Sequence, residues 1–287
     1  MIVRTAIEAD IASCNDVWAS TQSGLGADPV PYQPLSMHEL NTGRLVVAEV
    51  DGAVVGFGAT VVRSGVLYLV DLFVRPAHQS QGIGRQLLDT LCADHIGPLF
   101  TFASADPRAQ QLYEKYGMHA VEQFHYLDAV TETLAPWATD VSVVPASRAD
   151  ILALDAVATG RDRAIDIEYA TAIGSTWYLA HRKDTCVGVF AIAAPTPWNP
   201  WHPRGARLGP VMAGDAADIE PILAAALAAC RSIVPRPDVV STFAASSLPA
   251  LPALLSAGFE VIDNDLFMAS DPGLIDRHRY LPTVDTP

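Results

Sequence analysis

The chain has 287 residues, is 50% hydrophobic and 17% charged, and carries 18 basic against 32 acidic side chains for a formal charge of −14. At about 150 residues per domain, two folded domains are expected, with ample apolar material for their cores. With 21 Pro and 19 Gly the chain is neither collagen-like nor wholly disordered, and its acidic balance excludes the broad basic footprint of a general nucleic-acid binder.

The N-terminal MIVRTAIEADIASC has no signal-peptide segment, and no run reaches the roughly 18 apolar residues of a membrane span. A cytoplasmic protein with neither membrane nor nucleic-acid partner is the expectation. Cys14, Cys92, Cys186 and Cys230 are far apart and form no CxxC pair, which reads as four buried thiols in a reducing compartment. No HExxH occurs, so no metal is expected, and no GxSxG nucleophile elbow is present.

In chain order, a short strand at Ile2 to Arg4 precedes a helix from about Asp10. Strands at Leu45 to Val50 and Val54 to Val62 flank Asp51-Gly52, a strong hairpin signal. A strand at Val66 to Val74 leads through Gln79 to Gly84 into a helix whose apolar period runs through Leu87, Leu88 and Leu91. Phe100 to Ser104 reads as a strand, Ala109 to Tyr116 as a helix stopped by Gly117, and Val121 to Leu127 as a strand. The pattern weakens around Leu134-Ala135-Pro136-Trp137, the expected linker.

The second half repeats the first at low identity. Val3 to Ile11 matches Val143 to Ile151, Leu45 to Gly56 matches Trp177 to Gly188, and Tyr113 to Met118 matches Leu254 to Phe259, with Gly117 and Gly258 in the same place. Trp198 and Trp201, in a Pro-rich loop, are read either as loop packing or as the lining of a partner site. Ser270 to Pro287 is read as a tail that wraps the surface or is mobile.

The segment from Leu69 to Leu88 carries the chemistry. Gly82 permits a tight turn and Gly84 an unobstructed helix start, so that several N–H groups converge on an anion, with Arg85 nearby. The spacing is neither GxGxxG nor a Walker A pattern, which leaves hydride transfer and nucleotide hydrolysis without their usual support.

Gln79-Ser80-Gln81-Gly82-Ile83-Gly84 resembles the pyrophosphate loop Arg/Gln-x-x-Gly-x-Gly/Ala of the GNAT superfamily of N-acetyltransferases, and Ala109 to Met118 resembles a second motif of that family. The resemblance covers residues 2 to 127. It implies an α+β fold, mixed α/β in three layers, whose mixed sheet splays between its fourth and fifth strands around acetyl-coenzyme A. The backbone of Leu72, Phe73 and Val74 would pair with the pantetheine arm, and Gln79, Gln81, Gly82, Ile83, Gly84 and Arg85 would form the pyrophosphate cradle. Transfer to an amine would be direct, without metal. Tyr113 matches the family's usual general acid, and Asp71 an acidic position that sometimes serves as base. For Asp71, orienting a substrate ammonium is the competing role, and for Tyr113 a packing role. Asp106 stands where the family often has Asn and is read as a helix cap.

In the second half, Arg207 to Leu223 lacks the glycine loop, and Leu254 replaces Tyr113. It is therefore read as a degenerate GNAT-like domain, its sheet also splayed and flanked by helices. Gly160-Arg161-Asp162-Arg163 is read as a packing or salt-bridge segment, with shaping of the acceptor pocket as the alternative. The expected division is 1–130 catalytic domain, 131–140 linker, 141–269 second domain and 270–287 tail. The expected function is acetyl transfer to a primary amine, preferably of a small molecule, with a noncatalytic sensor of coenzyme A or a metabolite as the alternative. No interface pattern selects between a monomer and a homo-oligomer.

Overall fold

The computed structural model describes residues 1–22, 33–196, 202–233 and 235–287; Trp198 and Trp201 lie outside the described residues. The first half runs β1 (Ile2–Thr5), α1 (Ile11–Thr21), α2 (Gln33–Thr42), β2 (Arg44–Val50), β3 (Ala53–Arg63), β4 (Val66–Val74), α3 (Ile83–Leu91), β5 (Leu99–Ala103), α4 (Pro107–Glu114) and β6 (His119–Val130). The second half repeats that order: β7 (Val141–Pro145), α5 (Arg148–Thr159), α6 (Ala164–Ala172), β8 (Ser175–Arg182), β9 (Thr185–Ala193), β10 (Ala206–Ala213), α7 (Ile219–Cys230), β11 (Val239–Ala245), α8 (Leu251–Ala257) and β12 (Glu260–Ala269), followed by a short β13 (Tyr280–Leu281).

Local chemistry accounts for the boundaries. Asp51 and Gly52 take φ of 50° and 80°, the left-handed pair a two-residue hairpin requires. α4 starts where Asp106 accepts the Arg108 N–H at 2.9 Å with Pro107 next to it, and Gly117 at φ 82° follows its end. α3 buries Ile83, Leu87, Leu88 and Leu91, one helical stripe laid on the sheet.

Among the described residues all strands join one 13-stranded sheet in the order β1-β2-β3-β4-β5-β12-β6-β11-β10-β9-β8-β7, with β13 on β10. The two halves exchange their last strands. β6 pairs antiparallel with β11 of the second half, and β12 pairs antiparallel with β5 of the first, while β6 and β12 pair with each other at the centre. Phe100, Phe124, Phe243 and Phe267 fill the core where the halves meet, with Phe102 packed edge-on at 5.0 Å from both Phe124 and Phe243. A buried ion pair joins the halves again: Asp166 on α6 accepts from Arg63 of β3 at 2.7 Å and meets His38 of α2 at 2.7 Å.

The segment after β12, expected on the surface, is instead built into the interior. Tyr280, Leu281, Thr283 and Asp285 are buried, and Tyr68 donates to the Val284 carbonyl at 2.5 Å. The stretch lacks periodicity because its apolar residues fill a gap between elements rather than forming a face of one.

Candidate active site

β3 and β4 pair antiparallel with one irregularity: Ala59 faces Asp71 whereas Thr60 faces Leu69, so Val70 is an extra residue on β4. Such a bulge reverses the alternation of side chains. Leu67 and Leu69 before it, and Leu72 and Val74 after it, therefore share the α3 face. Asp71 falls with Phe73 on the opposite face, toward α1 and α2.

β4 and β5 run parallel but pair only at Leu67–Leu99 and Tyr68–Phe100. Beyond that point they diverge, the Thr101 hydroxyl bridging the apex to the Leu69 carbonyl at 2.9 Å. No ladder to β5 engages Leu72, Phe73 or Val74, which leaves their backbone on the cleft side open to an extended partner.

The turn after β4 is fixed by its own side chains. The Gln79 amide donates to the Val74 carbonyl at 3.1 Å and the Gln81 amide to Ala77 at 3.2 Å. Arg108 on α4 donates to Gln79 Oε1 at 3.1 Å and to the Ser80 hydroxyl at 3.3 Å, while paired with Asp106. Ser80 and Gly82 take φ of 60° and 80°. The first helical bond of α3 runs from Gln86 N–H to the Gly82 carbonyl at 3.2 Å, so the N–H groups of Ile83, Gly84 and Arg85 precede it and are donors for an anion. A Cβ on Gly84 would meet only the Leu112 side chain, at 3.8 Å. Protein packing therefore does not demand glycine there, and close approach of a ligand does. Arg85 is exposed, with Asp89 at 3.9 Å.

Tyr113, on α4, is buried in the core beneath α3. Burial first, then the negative charges of Asp265, Asp106 and Asp71, push its phenol above the ordinary range, so the hydroxyl stays protonated and available as a donor. Asp71 is half-buried; burial, then the charge of Asp285, raise its carboxyl to about 7, against a hydrogen bond from Glu39 that pulls the other way. Tyr113 and Asp71 thus lie within electrostatic reach of each other on the two flanks of β4.

Two neighbours of Asp71 escaped the sequence reading. Glu39 is fully buried on α2, a short helix with a weak apolar pattern whose only clear signal is Pro34 in its first turn. Asp285 arrives on the segment after β13, held by Arg207 at 2.5 Å. No local pattern could have reported either, because Glu39 is placed by the packing of α2 on α1, β2 and β3, and Asp285 comes from the far end of the chain.

The second half has a matching opening. β10 and β11 pair only at Ala206–Val240 and Arg207–Ser241, with Thr242 bridging to the Leu208 carbonyl at 2.9 Å. Here β13 fills it: Val211 and Met212 of β10 pair with Leu281 and Tyr280, and Ala213 N–H donates to Arg279 at 2.9 Å. Where the first half has a glycine loop, the Asp215 carboxylate accepts the Ala217 N–H at 2.8 Å. A negative cap on a helix start opposes a bound phosphate. Leu254, at the Tyr113 position, is fully buried. The Gly160-Arg163 segment serves the junction of the halves: Arg163 pairs with the buried Asp155 and donates to the Thr286 carbonyl at 2.6 Å, and Arg161 lies 5.3 Å over the Phe100 ring.

Residues 41–118 match the family model of the acetyltransferase (GNAT) domain. Among solved structures, the chain is similar to a Pyrococcus horikoshii protein described provisionally as an acetyltransferase, at TM-score 0.77 and 16% identity over 100% of this chain and 95% of that one. It is similar to a tandem GNAT protein from the clavulanic acid biosynthesis pathway, at TM-score 0.61 and 17% identity over 95% and 98%. A GCN5-related N-acetyltransferase from Sphaerobacter thermophilus aligns at TM-score 0.61 and 16% identity over 100% and 98%. No curated protein matches the sequence. The splayed sheet and its flanking helices are thus arranged as in the GNAT fold. The chain has the tandem GNAT fold, and its match to the acetyltransferase (GNAT) domain model lies in the first half.

Proposed function

We propose that the first half transfers an acetyl group from acetyl-coenzyme A to a primary amine of a small molecule, by direct attack of the amine. The observation that carries this reading is the conjunction of the open β4 edge, the uncluttered N-terminus of α3, and, on the two flanks of β4, Asp71 raised to about 7 and Tyr113 held protonated. The residues fit the cosubstrate. The backbone of Leu72, Phe73 and Val74 would hold its extended arm, and the Gly82, Ile83, Gly84 and Arg85 amides its diphosphate, on a turn braced by Gln79, Gln81 and Arg108. The thioester supplies an acetyl group already activated for transfer.

The chain's own residues manage protons. An amine of pKa near 10 is about one part in a thousand neutral at pH 7, a deficit of roughly 4 kcal/mol. Asp71, raised toward neutrality, takes the ammonium proton directly or through a water, and Tyr113 returns a proton to the departing sulfur. Among the described residues no group of side chains could hold a metal ion, and this route uses none. No helix among them is long and apolar enough to cross a membrane; a cytoplasmic setting suits a free acetyl donor and small acceptors.

The test is mass spectrometry of the full chain with acetyl-coenzyme A and a library of primary amines. An acetylated amine that disappears in Tyr113→Phe supports the reading. Coenzyme A binding without turnover across the library overturns it in favour of a coenzyme sensor.

A further inference from the structure

Glu39 presents a problem of charge. Its side chain is fully buried, and no N–H or O–H among the described residues donates to either carboxyl oxygen. A buried carboxylate without a donor or a cation is strongly disfavoured against its neutral form. The basic side chains of this region are committed elsewhere: His38, its neighbour on α2, and Arg63 both serve Asp166, with His38 stacked on Tyr169 at 4.3 Å, and Arg207 holds Asp285.

What Glu39 does face is Asp71: α2 packs on the side of the sheet that carries Asp71 and Phe73, and the two carboxyls act on each other there. The other titratable groups facing Asp71 are Cys14 from α1, Tyr68 from β4, Tyr113 from α4 and Asp285 from the segment after β13, none of them a cation. Two carboxyls in contact in such surroundings cannot both ionise, and one proton between them satisfies both. The proton belongs on the deeper group, because Glu39 is sealed whereas Asp71 is half-buried at the cleft.

We propose that Glu39 is held as a neutral carboxylic acid whose O–H donates to Asp71, keeping that carboxylate ionised and aimed as the site's base. Glu39 is thus a positioning residue, and its role rests on the reading of Asp71 as proton acceptor. Burial and Asp285 push Asp71 toward protonation while the Glu39 hydrogen bond opposes them. The balance leaves a base that is strong yet still empty near neutral pH. In turnover an N–H bond of the acceptor ammonium breaks and its proton moves to the free Asp71 oxygen, while the Glu39 O–H stays intact, so Glu39 is neither consumed nor charged.

Glu39→Gln and Glu39→Leu in the full chain separate this from a charged role. The amide of Gln donates as the acid does, so Glu39→Gln should keep kcat/KM within roughly threefold with its acidic limb unmoved. Leu removes the donor, so Glu39→Leu should move that limb up by about one pH unit or more and lower kcat/KM at pH 7 roughly tenfold. Infrared spectra of the free protein should show a protonated-carboxyl band persisting at pH 8 and lost in Glu39→Gln. A Gln variant as impaired as the Leu variant, a limb that neither moves, or no such band overturns the proposal. Should no amine be acetylated, the earlier reading fails by itself and the infrared band still decides the state of Glu39. Should Glu39→Leu not fold, the Gln variant and the band decide it.

Discussion

Asp71 at an ordinary carboxylate pKa near 3.9 would be a weak base for an ammonium; burial and Asp285 lift it to about 7. The expected pH profile of kcat/KM therefore falls on the acid side of about pH 7, and Asp71→Asn should remove that limb along with roughly a hundredfold or more of the rate. Stability follows the opposite sign. A carboxyl raised in the folded state binds its proton more tightly there than in the unfolded chain, so its contribution is fully present below about pH 4 and is lost as pH rises through about 7. Asp71→Asn should accordingly raise Tm at pH 8 more than at pH 5, which a pair of thermal melts checks. Tyr113→Phe separates packing from proton delivery: Tm within a few degrees of the parent, with kcat lower by roughly a hundredfold or more. Both residues could be singled out in the sequence, by their places in the strand-turn-helix and LYEKYG segments. The environment that tunes Asp71 could not, since Glu39 and Asp285 are brought to it from distant parts of the chain.

The turn into α3 is the element on which the proposed coenzyme binding rests, and its two glycines answer to different demands. Gly82 sits at φ 80° with open space around it, so Gly82→Ala should cost about 1–2 kcal/mol of backbone strain and lower Tm. Gly84 lies inside the helix, in ordinary conformation with only Leu112 near, at 3.8 Å. Gly84→Ala should therefore leave Tm unchanged or higher, by up to about 1 kcal/mol of helix propensity, while weakening coenzyme A about tenfold or more in calorimetry. Equal losses of stability and affinity at both positions would contradict an anion site there. α3 was readable because its apolar stripe and glycines lie within a single local run. α2 was not: it is short and weakly patterned, and the residue that matters on it is a buried acid, which local reasoning assigns to solvent.

At the scale of the molecule, exchange of β6 and β12 makes each half depend on the other. Residues 1–140 produced alone would leave β5 without its β12 partner and β6 without both of its neighbours, exposing apolar strand edges. That fragment should be insoluble or aggregated, and co-production with residues 141–287 should restore a soluble pair. Asp166 is the charged counterpart of this dependence. Burial would raise its pKa, but hydrogen bonds from His38 and Arg63 hold it at about 2. Asp166→Ala strands those bases and should cost about 3–5 kcal/mol, readable in denaturant midpoints. Because β13 occupies the second opening, calorimetry should find one coenzyme A per chain; two equivalent sites would show that β13 yields to ligand.

The sequence by itself determined the duplicated α+β plan, the glycine-bounded helix start and two of the groups at the cleft, because each is written in a run of adjacent residues whose period or turn chemistry is local. Tertiary structure alone decided that the last strands cross over, that β13 closes the second cleft, and that Glu39 and Asp285 converge on Asp71. Strand partners and buried charges are chosen by energies of contact between segments far apart in the chain, and such energies leave no periodic trace in either segment.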